Sequence, residues 1–233
     1  EGHAVTFSVG LAAGGMLPVC NIYSSFMQRA FDNIIHDVAL QNLKVVFCLD
    51  RGGLVGEDGA THQGVLDMAC LRPVPGLAIV APSNEKELRD ILFSSLSPEW
   101  PATVIRYPRG CGNGTEWRNL PFEKIAYGRA RLLAEGEKVA ILSAGPMADI
   151  CREAAEIIYN RCGFSPLHYD MRFIKPLDEA AIDHACSCAD TILTVEEGVV
   201  KGGLFGAVSE YVSGRNLKRE IIPIGVPDRF IQH

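Results

Sequence analysis

No apolar run in this chain approaches the roughly 20 residues that a membrane-crossing helix requires, because charge or glycine breaks the longest stretches. A spanning segment is not expected, and no membrane partner with it. Surplus positive charge is also lacking: 22 Lys and Arg stand against 28 Asp and Glu, for a formal net charge of -6, with both signs mixed along the length. No broad basic face can follow a phosphate backbone, so nucleic acid is excluded as a partner. Cys186 and Cys188 form a C-x-C pair with no second Cys or His pair at ligand spacing, so no zinc site is expected. Cys20, Cys48, Cys70, Cys151 and Cys162 fall within segments that read as strands or helices, as reduced core thiols do. A reducing, cytoplasmic compartment follows. Repeats and low-complexity tracts are missing too. The sequence opens at Glu1 without Met, so any upstream targeting segment falls outside it.

What is present is ordinary globular composition: 233 residues, 48% hydrophobic, enough for two compact cores. Val19 to Tyr23, Val45 to Asp50, Ala78 to Ala81 and Thr103 to Tyr107 are short apolar runs of the kind that form strands buried on both faces of a parallel sheet. Between them, Phe26 to Gln41 repeats apolar residues at helical spacing, and Asn84 to Leu96 starts behind Ser83 with Glu87 placed for a capping box. A second series follows: strands at Val139 to Ser143, Pro166 to Asp170, Thr191 to Glu196 and Glu220 to Ile224. They alternate with helices at Met147 to Arg161, Glu179 to Ser187 and Gly203 to Val212. In the first of these, Met147, Ile150, Cys151, Ala154, Ile157 and Ile158 are expected to face inward. Gly110 to Pro121 is rich in turn formers and reads as a linker. The expected architecture is α/β: two consecutive domains, 1–112 and 122–233, each with a mainly parallel sheet flanked by helices.

Open parallel sheets place ligands beyond the carboxyl ends of their strands, and polar residues gather there in the first domain. Tyr23 follows the first strand, and Arg106 to Arg109 follow the last. The loop from Asp50 to Gly64 holds five glycines among Arg51, Asp58 and His62, a composition that lets backbone approach a small molecule closely. An imidazole such as that of His62 can move a proton or donate a hydrogen bond near neutral pH. Arg29, Arg51 and Arg109 come from three separate segments, and guanidinium forks hold phosphate or carboxylate in fixed orientation. Arg106 to Gly110 ends a buried strand and turns sharply, so its side chains are expected at the mouth, with Arg109 the better anion ligand. Gly202, Gly203 and Gly206 open a helix without the G-x-G-x-x-G spacing, and close helix packing is the preferred reading of them.

Taken in order, Glu1-Gly2-His3-Ala4-Val5, Tyr23-x-x-Phe26-x-x-Arg29, Asp50-Arg51, Asp58-Gly59-x-Thr61-His62-Gln63-Gly64 and Arg106-Tyr107-Pro108-Arg109-Gly110 form a specific set. It resembles the 1-deoxy-D-xylulose-5-phosphate synthase family, with Gly2 standing where that family commonly has Gln. Phe173-x-Lys175-Pro176-Leu177-Asp178 and Glu196-Glu197 with Gly202-Gly203 extend the resemblance into the second half. It implies the pyrimidine-binding and C-terminal domains of a transketolase-like enzyme using thiamine diphosphate, with diphosphate and Mg²⁺ held by a further, N-terminal domain not in this sequence. No metal ligand is assigned to this chain, which alone is expected to be inactive. The resemblance implies that Glu1 contacts N1' of the cofactor's aminopyrimidine and Phe26 packs on that ring. Arg29 and Arg109 would grip the acceptor phosphate, Tyr23, Arg51, Asp58 and His62 would line the acceptor pocket, and His62 would also serve catalysis. The implied reaction joins a two-carbon unit from pyruvate to D-glyceraldehyde 3-phosphate, giving 1-deoxy-D-xylulose 5-phosphate. That is the first step of the non-mevalonate isoprenoid route and a source for thiamine and pyridoxal. A homodimer is the implied assembly.

Two other readings stand beside this one. A β-type subunit of a two-chain thiamine-diphosphate dehydrogenase or a split transketolase begins near such a Glu, although the Asp-Gly-x-Thr-His-Gln-Gly and Arg-Tyr-Pro-Arg-Gly segments argue against it. A non-enzymatic dimerisation or regulatory module is disfavoured by the intact Glu1, Arg29, His62 and Arg109.

Overall fold

The short apolar runs form two five-stranded sheets in a computed structural model that describes residues 1–232. His233, the last residue of the expected second domain, lies outside them. The first sheet holds β1 (Val19–Tyr23), β2 (Val46–Asp50), β3 (Leu77–Val80) and β4 (Ala102–Arg106) in the order β1-β2-β4-β3, all parallel. Every residue of β3 and β4 is buried, as expected for strands covered on both faces. The second sheet uses β5 (Arg131–Ala134), β6 (Lys138–Ser143), β7 (Leu167–Asp170), β9 (Ala189–Val199) and β10 (Glu220–Val226) in the order β10-β9-β6-β7-β5. Its edge strand β5 runs antiparallel to β7.

Three-residue β8 (Phe173–Lys175) leaves the second half and pairs antiparallel with β3, completing the first sheet. The two halves also share one buried apolar cluster that includes Ile34, Phe47 and Leu77 with Leu142, Ile174 and Val208. Their relative placement is therefore set by core packing and a strand ladder together.

Helix α1 (Gly2–Ala13) has no counterpart in the expected elements. Its residues are apolar or small nearly all round and only Val5 and Ser8 are buried, so no helical stripe is visible in the sequence. The single helix expected over Phe26 to Gln41 is instead four short turns: α2 (Ser24–Met27), a 3₁₀ turn (Gln28–Ala30), α3 (Phe31–Asn33) and a π-helical stretch (Ile34–Ala39). The looser winding is visible in the Leu40 N–H bond to the Ile35 carbonyl, at 2.9 Å.

Helix α4 (Asp67–Leu71) precedes β3, and α5 (Glu85–Ser95) lies between β3 and β4. The N-cap of α5 is Asn84, whose side chain accepts from the Glu87 N–H at 3.0 Å, and Glu87 reaches back one residue further than a capping box, to Ser83. In the second half are α6 (Met147–Cys162), α7 (Glu179–Cys188) and α8 (Leu204–Gly214). On α6, Ala148 and Cys151 face inward whereas Ile150 and Ile157 are exposed, which corrects the expected face: the buried stripe is shifted by about one residue around the helix. All eight cysteines are unpaired; Cys20, Cys48 and Cys151 are core thiols, while Cys70 and Cys162 are exposed rather than buried. Between β4 and β5 no helix or strand forms, and the Arg89 guanidinium ties this stretch down by donating to the carbonyls of Trp117, Leu120 and Pro121. Among the described residues no helix is long and apolar enough to cross a membrane.

Candidate active site

Strands β1, β2 and β4 are neighbours and parallel, so Tyr23, Asp50 and Arg106 end side by side at one sheet edge. The chain immediately after each strand supplies the site. From β1, Tyr23 stacks on Phe26 with ring centroids 5.5 Å apart, and the Arg29 guanidinium lies 5.0 Å over the Phe26 ring. Arg29 also lies 3.6 Å from the Glu1 carboxylate, which brings the chain's first residue to the same place.

After β2 the backbone turns through Arg51 in the left-handed region, at φ 59°, a conformation a non-glycine residue adopts only when its surroundings impose it. The imposing contacts are visible. Its guanidinium lies 4.0 Å over the Tyr23 ring, and its Nη1 and Nε donate to Asp50 and Asp58, each at 3.0 Å. The Asp58 hydrogen bond is the main cause that raises the Arg51 pKa further. Arg109, from beyond β4, places its Nε 3.1 Å from the same Asp58 oxygen and donates from Nη2 to Glu57 at 3.0 Å. One carboxylate oxygen thus sits between two guanidinium groups. His62 packs edge-on against Phe26 with centroids 5.2 Å apart, and its Nδ1 lies 2.9 Å from the Thr61 hydroxyl, which fixes the ring's rotation. Tyr23, Phe26, Arg29, Arg51, Asp58, His62, Arg109 and Glu1 form one connected cluster.

Arg106 does not join them at the mouth. Its side chain points inward, and its Nε donates to Asp67 at 2.8 Å with both side chains almost wholly buried. Asp67 also accepts from the Ser24 hydroxyl at 2.9 Å, so this pair supports the turn carrying Phe26. Sequence gave no sign of it, because a lone Arg at a strand end is as compatible with the mouth as with the interior.

The loop itself is closed at its base. Gly53 and Gly64 exchange backbone hydrogen bonds of 2.8 Å in both directions. A Cβ on Gly64 would lie 2.0 Å from the Arg51 carbonyl oxygen, so only glycine allows this approach. Behind α2, a cavity of about 1060 Å³ opens between the halves, bordered by Ser25, Arg29, Thr61, Leu66 and Phe230.

The other phosphate-like turn is filled from within. Glu196 accepts from the Leu204 and Phe205 N–H groups at 2.7 and 2.9 Å, capping α8, and a Cβ on Gly203 would meet its carboxylate at 2.0 Å. The glycines there serve close packing. Among the described residues no group of three or more His, Cys, Asp or Glu side chains is placed to hold a metal ion.

Residues 1–113 match the transketolase pyrimidine binding domain, and residues 128–233 match the transketolase C-terminal domain. The chain belongs to the transketolase family. Within it, this transketolase-family chain is 51% identical over 233 residues to the 1-deoxy-D-xylulose-5-phosphate synthase of Bacteroides fragilis. It is 49% identical over 233 residues to the synthase of that name from Bacteroides thetaiotaomicron. All of the chain is covered in both matches, but it spans only 36% of either relative's length. Among solved structures, a split gene transketolase, described as an inactive β4 tetramer, superposes with a TM-score of 0.87 at 26% identity. That match covers 98% of this chain and 73% of the other. The transketolase of Campylobacter jejuni gives 0.73 at 18% identity, covering 98% of this chain and 34% of that one, a likeness of fold alone.

Proposed function

We propose that this chain is the pyrimidine-side and acceptor-binding part of a thiamine-diphosphate-dependent 1-deoxy-D-xylulose-5-phosphate synthase. The observation that carries this reading is the convergence of Glu1, Phe26, His62 and three arginines at one sheet edge, in a chain 51% identical throughout to a synthase of that name.

The residues suit the aminopyrimidine half of the cofactor. Phe26 is a half-buried aromatic platform, and the Glu1 carboxylate pairs with Arg29, whose guanidinium lies over the same ring, so a stacking face and a hydrogen-bond acceptor for a protonated ring nitrogen stand together. Among the described residues the α8 N-terminus is occupied by Glu196, and in this reading the diphosphate and Mg²⁺ belong to the N-terminal domain of the full-length enzyme. When bound, the cofactor supplies the electron sink for loss of CO₂ from pyruvate. Glu1 holds a proton at the pyrimidine nitrogen, and Phe26 orients the ring. Arg29 and Arg109 receive the phosphate of D-glyceraldehyde 3-phosphate, with Arg109 exchanging Glu57 and Asp58 for phosphate oxygens, while Arg51 lines the pocket. Asp58, held by Arg51, and Tyr23 shape the pocket beside it. As the new carbon–carbon bond forms, the acceptor's aldehyde oxygen gains negative charge, and His62 donates a proton to it. The product would enter isoprenoid, thiamine and pyridoxal synthesis. The assembly in this reading is a two-fold dimer, for which exposed Phe7, Met16 and Leu17 offer apolar surface.

The experiment is a splice: this chain replaces the matching 36% of the Bacteroides fragilis synthase. Incubated with pyruvate and D-glyceraldehyde 3-phosphate, the chimera should form 1-deoxy-D-xylulose 5-phosphate. A folded chimera that binds thiamine diphosphate and yields none would refute the assignment. The second reading, one subunit of a two-chain transketolase, is favoured by the 0.87 TM-score to the split gene transketolase. It predicts ketol transfer between sugar phosphates and no use of pyruvate.

A further inference from the structure

We propose that Glu197, which belongs to the second half of the chain, is a positioning residue for the acceptor-binding loop 51–64 in the first half. The inference rests on the functional reading above, and it gives the C-terminal domain a part in substrate recognition.

Successive residues of a strand point to opposite faces. Near the end of β9 this separates two adjacent glutamates. Glu196 turns into its own domain and caps α8, whereas Glu197 turns toward the first domain. There its Oε1 accepts from the Leu54 N–H at 3.2 Å. Gly53, at φ 91°, lies so close that a Cβ would sit 2.5 Å from Glu197 Oε2, so the carboxylate packs directly on the loop's backbone. The Glu197 carbonyl is held as well, accepting from Arg106 Nη2 at 3.1 Å. That same nitrogen lies 3.3 Å from the Gly64 carbonyl, and Arg106 Nε is fixed by Asp67.

These contacts close a clamp. Gly53 and Gly64 join the two ends of the loop, Arg106 grips Gly64 from below, and Glu197 grips Gly53 and Leu54 from the second domain. Between these glycines, Asp58 binds Arg51 and Arg109 and His62 packs on Phe26, with Arg51 just before Gly53. A change in the grip on Leu54 therefore moves the groups that face the acceptor and leaves Glu1 and Phe26 in place. Burial raises the Glu197 carboxyl pKa, opposed by the Leu54 N–H and by Arg106, and Asp67 adds to the rise. A partly desolvated carboxylate with this few partners loses its place when the Leu54 hydrogen bond is lost.

The test pairs two measurements. In the chimera, Glu197→Ala should raise the apparent KM for D-glyceraldehyde 3-phosphate about tenfold, the value of one hydrogen bond to a charged acceptor. The KM for pyruvate should stay within about twofold. Glu197→Gln keeps an acceptor for Leu54 and should recover most of the loss. In this chain alone, Glu197→Ala should speed hydrogen exchange at the Leu54 N–H at least about tenfold, while the Gly52 N–H, bonded to the Tyr107 carbonyl at 2.8 Å, keeps its protection. Unchanged acceptor KM in Glu197→Ala, equal losses for both substrates, or a Gln variant as impaired as the Ala variant would each overturn the proposal. If the unsubstituted chimera makes no product, the functional reading fails instead, and Leu54 exchange still decides whether Glu197 holds the loop.

Discussion

Arg106 Nε lies 2.8 Å from Asp67 Oδ2, and the two side chains are 3% and 1% exposed, so this ion pair is fully withdrawn from water beneath the candidate site. Such a pair contributes little net stability against an apolar substitute, but removing one partner strands the other charge. Arg106→Met should cost about 3–5 kcal/mol in denaturant unfolding, and adding Asp67→Asn should recover part of it. A single-variant loss under about 1 kcal/mol would show that water reaches Asp67.

At the mouth, Arg109→Ala removes one of the two guanidinium groups on Asp58. The expected result in the chimera is an apparent KM for the phosphorylated acceptor raised about 10- to 100-fold, with pyruvate nearly unaffected. Equal losses for both substrates would place Arg109 in general scaffolding.

His62→Ala should lower kcat by about 10²-fold or more while thiamine diphosphate affinity persists, because Phe26 keeps its contacts with Tyr23 and Arg29. Turnover at the parental rate would remove the proton-donor role.

Gly64→Ala places a methyl 2.0 Å from the Arg51 carbonyl and 2.7 Å from the Ser24 hydroxyl. The Gly53–Gly64 pair must open, and a loss of about 2 kcal/mol or more in stability is expected, with the loop 51–64 newly sensitive to protease. An unaltered melting temperature would contradict the closed loop base.

At the boundary between the halves, Asp170 is wholly buried, 3.1 Å from Arg131 Nη2, and Glu87 faces the same Arg131 and Arg172. Burial pushes the Asp170 carboxyl up to about 7, with Glu87 adding to the rise and Arg131 and Arg172 opposing it. Burial also pushes Glu87 up, but Arg172, Arg131 and Ser83 outweigh it and hold its carboxyl below the usual range. A raised folded-state pKa means that the folded protein holds a proton the unfolded chain has released. The associated stability is complete below the unfolded value of about 4 and is lost as pH rises through about 7. Unfolding free energy should therefore fall between about pH 4 and 7, by at most about 1.4 kcal/mol per pH unit, and level off above, and Asp170→Asn should flatten that slope. Parallel profiles for the two proteins would refute the assignment.

The strands were largely legible before folding. Val19 to Tyr23 is bounded identically by pattern and by structure, although as the edge strand it is exposed at Val19 and Asn21 rather than buried on both faces as expected; the other strands of the first parallel sheet shift by one residue at most, since burial on both faces demands continuous apolar runs. That Tyr23, Arg51 and Arg109 lie near one another was legible as well, because parallel topology carries the residues after β1, β2 and β4 to one edge. Helix α1 was not, for it has no polar face to contrast with a buried one, and neither was β8, whose three residues carry no periodicity.

Sequence by itself thus determined the α/β class, every strand of the two sheets except β5 and β8, and the nearness of Tyr23, Arg51 and Arg109, all consequences of local composition and spacing. Tertiary structure alone decided that Arg106 turns inward while Arg109 stays outside, and that Glu196 and Glu197 serve different domains. It also decided that β8 crosses to the first sheet. Glu196 finds its partners 8 and 9 residues on, but the other choices depend on partners 39 to 143 residues away along the chain, such as Asp67 for Arg106 and Leu54 for Glu197, and no local pattern encodes a contact at that separation.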